Sequence, residues 1–395
     1  VDRFAQDRVD SDRESIFVGG GLPAVLDNVE KAHGTLLVGE RADAAFLAGL
    51  SSDRFRALMV DQSASSPQLL LLATGGTIAG RSANSTSLNA YTAGAMTGSE
   101  LLQELPQLQE VAQIQLEQLT NLDSADLQFQ HWIQLVKRIR EGFAVSPELA
   151  GVVITHGTNT MEETAWLLEL LIDDPRPVVL VGAMRPATAL SADGPLNLFQ
   201  AVQVAGSFQA RGHGVLVVMD GQIHGARAVT KVATQGVGAF QSPDFGPLGW
   251  VDDGGVHLPV ATGSRSVPFA TLALPLQWPE VAILYGCVDP SLAMVSALFN
   301  AGVKGLVWTG TGAGQLSAGE REAIKTWPGV LPLMLRSSRC GSGPVHPSEL
   351  QDELGLLPAG TLNPQKARIL LLLALIAGME RDELSTLLAS IAINA

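Results

Sequence analysis

Thr77 is the residue whose setting most suggests chemistry. It follows Gly75-Gly76 at the end of an apolar run, Leu69-Leu-Leu-Leu-Ala73, so a buried strand delivers a hydroxyl into a loop where glycine lets backbone N–H groups approach a reacting carbonyl. A hydroxyl of high pKa needs a base or relay to act as a nucleophile. Gly151-Val-Val-Ile-Thr-His-Gly-Thr-Asn-Thr-Met-Glu-Glu-Thr-Ala165 has the same design: a β-branched strand ends at His156-Gly157, and Thr160 with Glu163 spells a capping box opening a helix. The free N–H groups of that helix terminus suit an anion or oxyanion. Pro177-Val-Val-Leu-Val-Gly-Ala-Met-Arg-Pro186 and Gly214-Val-Leu-Val-Val-Met-Asp220 repeat the strand-into-loop theme.

The elements that position these loops follow from periodicity. Apolar strands alternating with helical segments predict a parallel α/β sheet. Residues 81–98, rich in Ser, Asn, Ala, Thr and Gly, read as a lid containing Tyr91, one of two tyrosines. A helix is expected over 99–105, a strand over 114–119 and a helix over 127–141, with Ser124 or Asp126 available to cap the last. Lys231 by itself reads as a solvated lysine. Residues 241–275 read as a connection, and a second α/β pattern runs from Val281 to a closing helix from Lys366. Upstream, residues 15–60 read as a small βαβαβ unit. Its Gly19-Gly-Gly21 lacks a complete phosphate-loop pattern, so the unit is expected to be an accessory structural one.

The chain has 395 residues, 46% hydrophobic and 16% charged, with a net charge of −14. A sizeable folded core is expected, and nucleic acid or an anionic membrane surface is excluded as a partner for want of a basic face. The longest apolar run, 369–379, is too short to span a bilayer and reads as a buried helix. Cys287 and Cys340 are expected to be small buried apolar residues. The seven histidines lack metal-ligand spacing, so neither metal nor cofactor is expected. Residues 1–14 carry no apolar leader segment. The expected location is cytoplasmic, or periplasmic if a leader has been removed.

Six motifs, in order, carry a family resemblance. Thr74-Gly-Gly-Thr-Ile-Ala-Gly80, Thr155-His-Gly-Thr-Asn-Thr-Met-Glu-Glu-Thr164, Val181-Gly-Ala-Met-Arg-Pro186, Ser191-Ala-Asp-Gly-Pro195, Gly246-Pro-Leu-Gly249 and Gly360-Thr-Leu-Asn-Pro-Gln-Lys-Ala-Arg368 together resemble the bacterial type II L-asparaginases and glutaminase-asparaginases. The resemblance implies a two-domain α/β fold. A larger flavodoxin-like parallel-sheet domain spans 67–258, a linker 259–278 and a smaller α/β domain 279–395, with residues 1–66 as the accessory unit. It also implies an amidohydrolase that forms an acyl-enzyme on Thr77 and releases ammonia, assisted by Tyr91, Thr158 and Lys231, in a homotetramer built as a dimer of dimers.

Departures from the family pattern fall around the substrate's α-amino group. Asn159 stands where the family has an Asp that pairs with the lysine and holds the α-ammonium. Ala125 stands for a Gln after Ser124, Ala313 for an Asn donated by a neighbouring subunit, and Glu349 is the nearest counterpart of an acid supplied across the interface. Ser124 and the N–H groups near Gly157 remain for the substrate carboxylate. Losing two or three hydrogen bonds to a charged group, each worth roughly 1.5–3 kcal/mol, is expected to weaken free asparagine strongly. The leading expectation is therefore a small or peptide-like substrate with an asparagine-type carboxamide and a blocked nitrogen, such as an N-acyl-asparagine. An ordinary asparaginase or glutaminase and a catalytically inactive binding homologue are the alternatives.

Overall fold

The computed structural model describes residues 66–88, 90–260 and 265–393. The accessory unit expected over residues 1–66, with its glycine loop, lies outside them apart from its last residue.

β1 (Gln68–Gly75) forms because consecutive aliphatic residues can be buried on both faces of a sheet. Leu70 and Leu72 point into one apolar cluster, Leu69, Leu71 and Ala73 into another, which is the period-2 alternation of a strand sandwiched between helices. β2 (Gln113–Leu122), β3 (Leu149–Thr155), β4 (Val178–Val181) and β5 (Val215–Met219) join it in the order β2-β1-β3-β4-β5, all parallel. That is the flavodoxin-like order, with its topological switch where β1 and β3 lie side by side, the place where open α/β sheets bind ligands.

The sheet is not wholly parallel. After β5, Asp220 and Gly221, with φ of 51° and 73°, form a two-residue turn into the antiparallel β6 (Gln222–Gly225). β9 (Gly249–Asp252) and β10 (Gly255–His257) extend this edge, while β7 (Thr230–Lys231) and β8 (Phe240–Gln241) form a separate hairpin. The Asp-Gly pair was the sequence signal for this reversal.

Helices follow the strands. α1 (Gly98–Gln103) precedes β2, and α2 (Phe129–Val145) and α3 (Met161–Leu171) cover one face of the large sheet. α4 (Gly194–Gly206) covers the other. The C-terminal part is a parallel sheet, β11 (Val281–Tyr285), β12 (Gly305–Gly310), β13 (Leu333–Ser338) and β14 (Leu356–Pro358). α5 (Leu292–Ala301) and α6 (Ala318–Lys325) pack on one side of it. α7 (Pro364–Ile376) lies on the other, and α8 (Arg381–Ile393) closes the described chain. Residues 369–374 of α7 are fully buried in a core that contains both Leu167 of α3 and Val307 of β12, so this helix joins the two sheets into one apolar interior. Among the described residues no helix is long and apolar enough to cross a membrane.

The expectation that the cysteines are buried is corrected. Cys287 and Cys340 are both exposed free thiols, because each lies in a loop just beyond a strand of the smaller sheet.

Candidate active site

Three loops meet at the switch point, and their glycines explain how closely. Gly75 has φ 103°, and a Cβ there would lie 2.6 Å from the Leu122 backbone. Gly76 has φ 83°, and a Cβ there would lie 2.4 Å from Gly157 Cα. At Gly157 a Cβ would lie 2.6 Å from Ser124 Oγ. The loops after β1, β2 and β3 are therefore in backbone contact, an approach that any side chain at these positions would prevent. Gly76→Ala combines a left-handed backbone with a backbone clash. It is expected to cost roughly 2–4 kcal/mol, measured as a lower midpoint in chemical denaturation.

Thr77 opens a short 3-10 turn, Thr77–Ala79, and is buried. Its Oγ1 shares a 2.7 Å hydrogen bond with Tyr91 Oη. The described residues of the expected lid, 81–98, are mostly exposed. It returns to the turn through an Arg81–Thr92 bridge and through N–H donation from Gly94 to Gly76 O (3.0 Å) and from Met96 to Ala79 O (2.9 Å).

On the second loop His156 is not a base. It is fully enclosed, and burial pulls its pKa down to about 4. Nδ1 bonds the Gly157 carbonyl at 2.7 Å, an oxygen that can only accept, so Nδ1 carries the proton and Nε2 accepts from Thr164 Oγ1 at 2.9 Å. Trp132 Nε1 donates to the same threonine oxygen. The ring thus fixes the peptide before Thr158.

The expected Thr160/Glu163 capping box does not form. Thr160 Oγ1 donates instead to Ser124 O (2.9 Å), and the Ser124 hydroxyl oxygen accepts N–H bonds from Asn159 (3.1 Å) and Thr160 (3.3 Å). A neighbouring loop thus ties down the approach to α3, because Gly157 lets Ser124 that close. Nor does Ser124 or Asp126 cap α2. The N–H of Gln128 at its start donates to His131 Nδ1, and Ser124 and Asp126 belong instead to a 3-10 turn, Ser124–Asp126, capped by Asp123.

Lys231 arrives from the β7 strand. Its Nζ donates to Thr158 Oγ1 at 2.8 Å and to Asn159 Oδ1 at 3.4 Å. Desolvation lowers its pKa below the usual lysine range, opposed by the carboxylates of Asp123 and Glu162. The start of α7 brackets this strand. Asn363 Nδ2 donates to Glu162 Oε2 (2.8 Å) and Thr230 Oγ1 (3.3 Å), and Gln365 Nε2 donates to Glu162 Oε1 (3.1 Å). The buried Lys366, lowered to about 8 mainly by desolvation, bonds the carbonyls of Arg227 and Val229. These bonds fix the chain just before Lys231.

Of the residues expected at the site, Thr77, Tyr91, Ser124, Gly157, Thr158, Asn159 and Lys231 come together here. Ala125 follows Ser124 and lines a cavity of about 530 Å3 with Leu127, Phe129, Trp132 and Arg368. Ala313 sits on an exposed loop of the smaller domain and Glu349, also exposed, opens the short helix Glu349–Asp352; neither makes a hydrogen bond to these three loops. Sequence reasoning missed Asp123, whose Oδ1 accepts from Asn159 Nδ2 at 3.0 Å. The available signal was a carboxylate immediately before Ser124. Among the described residues no three His, Cys, Asp or Glu side chains are grouped so as to hold a metal ion.

Residues 68–261 match the family described as Asparaginase, N-terminal, and residues 280–388 match the Glutaminase/Asparaginase C-terminal domain. Similar curated proteins include a probable periplasmic L-asparaginase of Haemophilus influenzae. It is 41% identical over 314 residues, covering 78% of this chain and 88% of that one. L-asparaginase 2 of Bacillus subtilis is 40% identical over 315 residues, covering 78% and 82%. A crystal structure of a probable cytoplasmic L-asparaginase from Campylobacter jejuni superposes with a TM-score of 0.76 at 39% identity, covering 82% of this chain and 99% of that one. With both domains matched in sequence order around this three-loop site, the chain belongs to the asparaginase family of hydrolases, which act on carbon–nitrogen amide bonds.

Proposed function

We propose that this protein hydrolyses the side-chain carboxamide of free L-asparagine through an acyl-enzyme on Thr77. The observation that carries the reading is the pairing of two threonine hydroxyls on touching loops, Thr77 with Tyr91 and Thr158 with Lys231. Thr77 Oγ attacks the carboxamide carbon, and its proton passes through the Thr158–Lys231 pair to the departing nitrogen, which leaves as ammonia. Water then attacks the ester, regenerates the Thr77 hydroxyl and releases aspartate. Tyr91 orients Thr77 Oγ. A lysine with a lowered pKa is suited to the base role because it gives up its proton more readily than a solvated lysine does. Ser124 Oγ accepts two N–H bonds, so its own proton is free to donate to the substrate's α-carboxylate. The assembly that accompanies this reading is a homotetramer, with Ala313 and Glu349 contributed by a neighbour.

The test is ammonia release from L-asparagine and N-acetyl-L-asparagine side by side. Turnover of the free amino acid is expected, and its absence contradicts the reading. The cavity beside Ala125 favours a second reading, in which an N-acyl group occupies that space, and release from the acetylated substrate alone supports it.

Asn159→Asp gives a check on Lys231. A carboxylate in contact with Nζ favours the charged ammonium and raises its pKa, so less neutral amine is present at a given pH. The acid limb of kcat/KM against pH is expected to move to higher pH, as read from initial rates.

A further inference from the structure

Asp123 occupies a position that the family pattern does not anticipate. Its carboxylate can only accept hydrogen bonds, so it fixes the orientation of the Asn159 amide. Nδ2 faces Asp123 at 3.0 Å, and Oδ1 turns towards Lys231 Nζ at 3.4 Å. The chain ammonium, carboxamide, carboxylate leaves residue 159 neutral and puts the negative charge one loop away. Asp123 Oδ1 also accepts the Ala125 N–H at 2.9 Å, whereas among the described residues Oδ2 has no hydrogen-bond partner. Asp123 is half-buried and precedes Ser124, the residue whose free hydroxyl proton suits a carboxylate. In asparagine a single methylene separates the carboxamide carbon from the α-carbon. With the carboxamide at Thr77, the α-substituents fall on the loops touching Gly157, which are the loops that carry Ser124 and Asp123.

We propose that Asp123, rather than residue 159, supplies the anionic group that recognises the substrate's α-ammonium, and so sets the preference for free amino acids over analogues lacking that charge. The proposal rests on the L-asparagine reading above and deepens it. An ammonium beside Asp123 donates to Oδ2, while Oδ1 remains with Asn159 and the Ala125 N–H. Asn159 is then a positioning residue, holding Asp123 towards the substrate and Lys231 towards Thr158.

The experiment is calorimetric titration of the full chain with L-aspartate, the reaction product, and with succinate, which differs by lacking the α-ammonium. The parent is expected to prefer L-aspartate by about tenfold or more, the discrimination one charged hydrogen bond gives. In Asp123→Asn this preference is expected to fall to within about threefold, with succinate affinity little changed. Adding Asn159→Asp to Asp123→Asn returns a carboxylate to the same pair and is expected to restore it. A parent that does not discriminate, or a preference that survives in Asp123→Asn, overturns the assignment. Thermal melts of each variant confirm folding, and Asp123→Ser serves if Asp123→Asn fails to fold. Ammonia release from L-asparagine by the parent is measured in parallel. Its absence removes the proposed reaction, whereas the aspartate-to-succinate ratio still decides the role of Asp123.

Discussion

Thr77→Ala is expected to lower ammonia release from L-asparagine by on the order of 10^4-fold or more, the scale seen when a covalent nucleophile is removed. The substitution deletes one methyl and the hydroxyl paired with Tyr91, leaving the Gly75-Gly76 backbone and its contact with Gly157 unchanged. Its thermal midpoint is therefore expected to stay within a few degrees of the parent, about 1 kcal/mol of stability or less. Thr77→Ser, which keeps a hydroxyl, is expected to retain a measurable fraction of the rate. Coupled ammonia assays on the parent and both variants check the order. Equal rates for the parent and Thr77→Ala remove Thr77 from the chemistry.

Lys231→Met is expected to cost about 10^2 to 10^4-fold in kcat, the usual worth of a positioned general base. Methionine keeps most of the aliphatic stem, so the loss isolates the amine that bonds Thr158 and Asn159. Lys231→Arg is expected not to rescue the rate, since a guanidinium keeps its proton throughout the working range. The variant should also lose the acid limb of the pH profile that Lys231 creates. Because burial lowers the lysine pKa, that limb in the parent lies below the pH at which an ordinary solvated lysine titrates. Rates across pH for parent and variants test both statements. A full rate in Lys231→Met contradicts the proposed relay.

Much of the scaffold was legible because its signals are local. Five aliphatic residues followed by Gly75-Gly76 can only be a buried strand entering a loop, and β3 into Gly157 repeats the logic. The switch point then follows from strand order. Less was legible where an outcome depends on which loops touch. The Thr160/Glu163 pattern satisfies the capping rule in sequence, yet the Thr160 hydroxyl bonds Ser124 O instead, because Gly157 has no side chain to keep Ser124 away. The exposed Cys287 and Cys340 depart from residue-type statistics because each falls in a loop beyond a strand end. Reading positions one at a time, the loss of a carboxylate at residue 159 suggests a blocked substrate nitrogen. Asp123 becomes relevant only once residues 123 and 159 are seen to share a hydrogen bond across 36 positions of sequence. The antiparallel edge of the large sheet likewise hangs on one Asp-Gly turn.

The most direct test of the covalent mechanism is a rapid-quench mass measurement of the full chain mixed with L-asparagine, followed by peptide mapping. A transient adduct equal to the substrate less ammonia is expected, located on the peptide that contains Thr77 and absent from Thr77→Ala. Turnover with no adduct under conditions where deacylation is slowed, or an adduct mapped to another residue, would contradict it.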